Sequence, residues 1–114
     1  MVQERQPTSI RQAMGHLPEA FNAENAADAR AIIQFHFTGN EAGTWTITIA
    51  NGKCQVEEAK AEHPTVTVYT TSDVWLKIIR REMDPATAFM SGLFTFIGDI
   101  GTLVRMREWF PQGD

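Results

Sequence analysis

The dipeptide Asn51-Gly52 constrains this chain more than any other pair of residues. A two-residue type I′ turn needs positive φ at both central positions, and asparagine and glycine supply it at little cost. Alternating runs flank the pair. Residues 44–50 put Trp45, Ile47 and Ile49 on one face and three threonines on the other. Residues 53–59 return with Cys54 and Val56 on one face and carry the most charge, as suits a sheet edge. Upstream, residues 29–38 set Ala31, Ile33, Phe35 and Phe37 against Gln34, His36 and Thr38. With a turn at 40–43, three strands meander with one apolar and one polar face.

The remaining segments supply a cover for that apolar face. Residues 1–8 are polar and read as a flexible lead-in. Ser9 to Gln12 forms a capping-box pattern, and Ile10, Ala13, Met14 and Leu17 follow at helical spacing. Pro18 is expected to interrupt that helix and start another turn over 18–21, with 22–28 as a connection. Residues 65–71 alternate threonine with Val66 and Val68, with Tyr69 on the opposite face. Thr71 or Ser72 caps a helix holding Trp75, Leu76, Ile78 and Ile79, with Arg80 and Arg81 at its positive-charge-favouring end. Residues 84–99 then describe a short helix capped by Asp84 with Pro85 in its first position. A break at Gly92, an apolar strand over 93–97 and a turn at Gly98 complete the stretch. Asp99 caps a last helix with Leu103, Val104, Met106 and Phe110, which Pro111 stops. A sheet with one apolar face and several helices implies an α+β two-layer fold, and 114 residues suffice for one domain over 1–114.

Composition excludes several classes. The net charge of −4, with acids and bases interspersed, argues against a nucleic-acid partner. A single cysteine permits no intrachain disulfide. The first residues lack the apolar core of a secretory signal, and no run approaches the roughly 20 apolar residues that span a bilayer. A cytoplasmic protein is expected.

Catalytic chemistry is thinly represented. His16, His36 and His63 are scattered, with no pair at metal-ligand spacing. Cys54 lacks a nucleophile signature, Ser72 and Ser91 read as helix-terminus residues, and Glu57 and Glu58 point to opposite faces of a strand. No catalytic residue, metal or cofactor is expected. Arg80, Arg81, Arg105 and Arg107 could meet a carboxylate, a phosphate or an anionic membrane, with solvated helix-end charge as the commoner alternative. Trp109 and Phe110 leave three alternatives open: a dimer contact, a membrane contact or the completion of the core.

Several pieces in order resemble the sterol-carrier-protein-two family of lipid-binding domains. They are Leu17-Pro18-Glu19-Ala20-Phe21, then Gly43-Thr44-Trp45 with Asn51-Gly52-Lys53, then residues 64–68 with Thr71-Ser72-Asp73. Met83-Asp84-Pro85, Ala88-Phe89-Met90, Gly92 and Gly98-Asp99 close the series. The similarity runs from Leu17 to Phe110. It implies a five-stranded mixed sheet covered on one face by helices, enclosing an apolar tunnel. The tunnel would take up a fatty acid, fatty acyl-CoA, sterol-like lipid or other long apolar molecule, by binding or transfer without catalysis. An alternative within the resemblance is an accessory protein presenting lipid or quinone-pathway intermediates to membrane-associated enzymes, with transient membrane contact. The residues expected to line the tunnel are Ile33, Phe35, Ile47, Trp75, Ile79, Phe89, Met90, Phe94, Phe96, Leu103, Met106 and Phe110; for Trp75 and Ile79 plain packing is the stronger alternative. One departure stands out: family members often carry glycine ahead of the Asp-Pro helix, where this chain has Arg81-Glu82. A non-glycine residue there resists positive φ, so the turn and the nearby tunnel mouth are expected to differ.

Overall fold

The computed structural model describes residues 7–110. The expectations for 1–6 and for Pro111 lie outside the described residues. Helices α1 (Ile10–Ala20) and α2 (Ala23–Ala26) precede strands β1 (Ala31–Thr38), β2 (Gly43–Ala50) and β3 (Lys53–Glu57). Strand β4 (Val66–Thr71), helices α3 (Ser72–Ile79) and α4 (Pro85–Met90), strand β5 (Phe94–Gly98) and helix α5 (Ile100–Trp109) follow. One sheet in the order β3-β2-β1-β4-β5 results, antiparallel except where β4 pairs parallel with β1. This is the expected mixed five-stranded α+β architecture.

The Asn51-Gly52 turn takes φ of 55° and 70°, as a type I′ hairpin requires. Its register sets Ile49 opposite Cys54 and Ile47 opposite Val56. Rows of inward residues then cross the sheet. Trp45, Phe35, Val68 and Phe96 form one row, and Ile47, Ile33, Val66 and Gly98 form the next. Gly98 cannot carry a side chain: its φ is 118°, and a Cβ there would lie 2.5 Å from the Thr65 carbonyl oxygen. Helix residues Ile10, Met14, Ala26, Leu76, Trp109 and Phe110 close over these rows, all buried.

Loops tie the layers together. The Glu41 carboxylate, on the β1–β2 turn, accepts hydrogen bonds from the Ile10 and Arg11 amides at 2.6 and 2.9 Å, capping α1 from outside. The Glu41 amide donates to Oγ of buried Ser72 at the start of α3. On the outer face, the loop after β3 crosses the sheet, with Thr46 donating to the Ala59 carbonyl and the Ala61 amide donating to Gln34.

Two local expectations change, and two open alternatives are decided. Helix α1 runs through Pro18 to Ala20, because proline in the last turn forfeits only one i→i−4 bond. Residues 22–28 are not a bare connection: Asn22 accepts from the Asn25 amide and caps the one-turn helix α2. Thr71 rather than Ser72 caps α3, leaving Ser72 free to hold the Glu41 loop. Trp109 and Phe110 complete the core, at 1% and 7% exposure, because the α5 C-terminus is held against α2 by the Asn22 amide bonding to the Trp109 carbonyl.

The Arg81 expectation also changes. Arg81 does adopt positive φ, at 65°. The Arg81 amide bonds to the Ile78 carbonyl and the Glu82 amide to the Lys77 carbonyl, which is the paired pattern of a Schellman helix end. Two hydrogen bonds hold a side-chain-bearing residue where glycine is the easier choice.

Candidate functional site

Burial divides the sheet's inner face into two halves. On β1, β2 and β4 the inward residues are sealed, with Ile33 and Ile47 at 0% and Phe35 at 1%. On β5 they are not: Phe94 and Phe96 are only half-buried, as are Trp75, Ile79, Leu103 and Met106 on the helices. Phe89 on α4 is 42% exposed.

These half-buried residues form one connected apolar wall. Phe35 lies 4.8 Å, ring centroid to centroid, from Trp75, and Trp75 lies edge-on to Phe94 at 6.0 Å. Phe89 sits 5.5 Å from both Phe94 and Phe96. The wall therefore starts in the sealed core and ends at the surface beside α4. Helix α4 is short because Asp84 and Pro85 start it and Gly92, at φ 76°, stops it within two turns. Buried Ala88 fixes its inner side.

Helix α5 carries further half-buried apolar residues packed against the core, Leu103 and Met106. Leu103, Met106, Trp109 and Phe110 recur at three- and four-residue spacing and so share a face. Phe110 packs on Phe21 at 5.7 Å. Trp109 carries an anomaly: its Nε1–H is buried yet has no hydrogen-bond partner. Leaving such a donor unmade costs about 1–3 kcal/mol.

Of the expected lining residues, Trp75, Phe89, Phe94 and Phe96 come together with Phe35 in the aromatic chain. Ile33 and Ile47 are core residues beneath it, and Ile79, Leu103 and Met106 flank the core half-buried. Met90 stands apart, 85% exposed on the outer side of α4. Leu93, Ile97, Ile100 and Val104, which follow it in the sequence, are also exposed. Along 93–97, Phe94 and Phe96 turn to the inner face while Leu93 and Ile97 stay exposed.

Among the described residues, the titratable side chains of Cys54, His36 and His16 lie apart from one another. Burial pushes the Cys54 thiol up to about 11, far from a reactive thiolate. Exposed His36 contacts Thr44 at 3.2 Å and Tyr69, while His16 pairs with Glu19 at 3.5 Å. Among the described residues, no cluster of three metal-ligating side chains occurs. The arginines also divide: Arg80 donates to the Pro7 carbonyl at 2.8 Å, and Arg105 lies over the Trp109 ring at 5.1 Å. A polar pocket of about 240 Å³ on the outer sheet face, lined by Thr48, Ala50, Asn51, Lys53 and Gln55, shares no residue with the wall. Among the described residues, no helix is long and apolar enough to cross a membrane.

The family model of the SCP-2 sterol transfer family matches residues 10–111. A hydroxysteroid dehydrogenase-like protein 2 from Xenopus tropicalis is 29% identical over 92 residues, covering 80% of this chain and 22% of that protein. The chain thus spans about a fifth of the length of the curated relatives it first matches. Three solved structures show the same fold at low identity. A sec-alkylsulfatase from Pseudomonas sp. gives a TM-score of 0.79 at 18% identity, over 90% of this chain and 16% of that one. A palmitated SCP2L2 from Aedes aegypti gives 0.69 at 17% identity, over 89% and 93%. A UbiJ-SCP2 ubiquinone synthesis protein gives 0.58 at 16%, over 78% and 72%.

Proposed function

Because the chain belongs to the SCP-2 sterol transfer family, we propose that it binds and transfers a long apolar ligand, a fatty acid, fatty acyl-CoA or sterol-like lipid, without catalysing a reaction on it. The ligand occupies an apolar tunnel between sheet and helices. Trp75, Ile79, Phe89, Phe94, Phe96, Leu103 and Met106 line it, over a floor of Phe35, Ile33 and Ile47. The observation that carries this reading is the half-buried aromatic wall running from sealed Phe35 to exposed Phe89. Large apolar side chains left half-exposed and connected along one side offer a surface that an apolar guest can cover. Each methylene moved from water into such a site contributes about 0.8 kcal/mol, so a long chain binds with few polar anchors. The palmitated Aedes aegypti structure, which shares the fold, supports an acyl ligand. Action in the cytoplasm fits a single cysteine held as a half-buried thiol.

Native mass spectrometry of freshly purified protein, followed by organic extraction, tests the reading. A co-purifying lipid, or a mass shift on adding palmitate, palmitoyl-CoA or cholesterol, is expected. An unshifted mass with palmitate, palmitoyl-CoA and cholesterol alike would make the protein an interaction module with a filled core.

A second reading has its own support. The exposed apolar residues Met90, Leu93, Ile97, Ile100 and Val104, together with the fold shared with the UbiJ-SCP2 protein, favour an accessory role. In that role the protein presents bound lipid or quinone-pathway intermediates at a membrane-associated enzyme. Stable co-purification with one such enzyme, lost on Ile100→Asp, would distinguish presentation from free shuttling.

A further inference from the structure

We infer that the indole Nε1–H of Trp109 is the polar anchor of the ligand site, and that it selects an apolar chain bearing one neutral oxygen: a hydroxyl, a ketone or an ester carbonyl. The inference rests on the lipid-binding reading above. It starts from an imbalance. Trp109 is 1% exposed, and its indole donor has no acceptor. Buried donors of this kind are nearly always satisfied, and one that is not calls for an explanation. The rest of the residue is thoroughly fixed. Its carbonyl accepts from the Asn22 amide at 2.8 Å, the neighbouring Glu108 carbonyl accepts from Asn25 at 2.8 Å, and Arg105 covers the ring. So the helix end is pinned from several sides while the one polar atom of the side chain stays unused.

Helical spacing relates that residue to the half-buried side chains of α5. Trp109 stands one turn beyond Met106 and shares the helix face that carries Leu103 and Met106, both half-buried against the core. Helix α5 therefore offers the ligand two apolar side chains and then, at its end, a single donor. A tryptophan N–H donates and never accepts, so its partner must be an acceptor. Charge decides which acceptor. A carboxylate buried against one neutral donor would lose its hydration with little return. The nearest cation on this element, Arg105, is exposed and lies over the face of the ring rather than in the ring plane, where the N–H points. A neutral oxygen needs one good hydrogen bond and accepts the rest of the site as it is.

The test uses Trp109→Phe, which keeps the aromatic bulk and removes the donor. Uniformly 15N-labelled protein is titrated with dodecan-1-ol, dodecanoate and n-dodecane, with backbone amides reporting occupancy and the Trp109 indole proton reporting the bond. The indole resonance is assigned by its loss in Trp109→Phe. Dodecan-1-ol is expected to move that proton downfield, and Trp109→Phe is expected to weaken the alcohol about fivefold while leaving dodecane unchanged. Trp109→Phe also removes buried volume, so its thermal midpoint should fall modestly, and the affinities are compared well below that midpoint. Backbone shifts with an unmoved indole proton, or equal alcohol affinity in the variant, would overturn the anchor and assign the donor to an internal water. Tighter, indole-dependent binding of dodecanoate would overturn the neutral-oxygen selection. No backbone shift with any of the three would instead refute lipid binding itself.

Discussion

At the scale of single residues, Arg81 and Asp99 show how local chemistry decides what a position tolerates. Arg81 and Gly92 end consecutive helices in the same left-handed conformation, at φ 65° and 76°. Only one of them is glycine, so the α3 end carries strain that the α4 end does not. An L-residue there costs about 1 kcal/mol against glycine. Comparing Arg81→Gly with Arg81→Ala cancels the loss of the arginine's own contacts. The glycine variant should unfold at higher urea, by about 1 kcal/mol; equal midpoints would show that the helix end relaxes to negative φ. Asp99 is a different case. The Thr102 hydroxyl, donating at 2.7 Å, is the main cause that holds its carboxyl below the usual value of 3.8, aided by the Gly101 and Thr102 amides and by Arg105. A carboxyl depressed in the folded state stabilises above its unfolded value, and that contribution is lost as pH falls through the folded one. Acid titration should therefore show α5 losing stability as pH falls below 3.8, and Thr102→Val should shrink that pH-dependent loss. An equal loss over the same pH range in the two proteins would remove the Thr102 hydroxyl as the cause.

At the scale of elements, the sequence was most informative where a turn or cap forces geometry. Asn51-Gly52 fixed β2, β3 and their register; Asp84-Pro85 and Gly92 fixed α4; Asp99 fixed the start of α5. Pro18 misled because a proline's effect depends on which turn of the helix it occupies, and nothing local revealed that the helix ended at Ala20. Helix α2 was invisible because a four-residue turn has too few apolar positions to show a period. Most hidden of all was Glu41, thirty residues from the helix it caps. Its two bonds to the Ile10 and Arg11 amides join α1 to the β1–β2 turn, and no local pattern can announce a partner so distant in the chain. Those bonds are charge-assisted and lie at the positive end of a helix. Glu41→Gln should lower stability by about 1–2 kcal/mol, with hydrogen exchange rising first in α1. Faster exchange confined to the β1–β2 turn, with α1 unchanged, would show that Ser9 alone suffices as the cap.

At the scale of the whole molecule, the question is whether the two halves of the inner sheet face do different work. The alternating strands foretold which side chains turn inward, and in this Phe35 and Phe94 read alike: each is a large apolar residue on the inner face. The difference between them, one sealed and one half-buried, depends on how far helices from elsewhere in the chain extend over β5, and alternation carries no information about that. Substitution separates the roles. Phe35→Ala removes a fully packed side chain and should cost about 3–5 kcal/mol of stability, with lipid uptake lost only through unfolding. Phe94→Ala opens a wall that is already half-wet, so its stability cost should be smaller, about 1–2 kcal/mol, while the affinity for palmitate falls in the folded protein. Denaturant midpoints and native mass spectra of the same samples read both quantities. Met90→Ala serves as the control: a side chain this exposed should shift neither by more than about 0.5 kcal/mol. If Phe94→Ala costs as much stability as Phe35→Ala and leaves palmitate occupancy unchanged, β5 belongs to an ordinary core. The half-buried wall would then be a surface for another protein rather than the side of a tunnel.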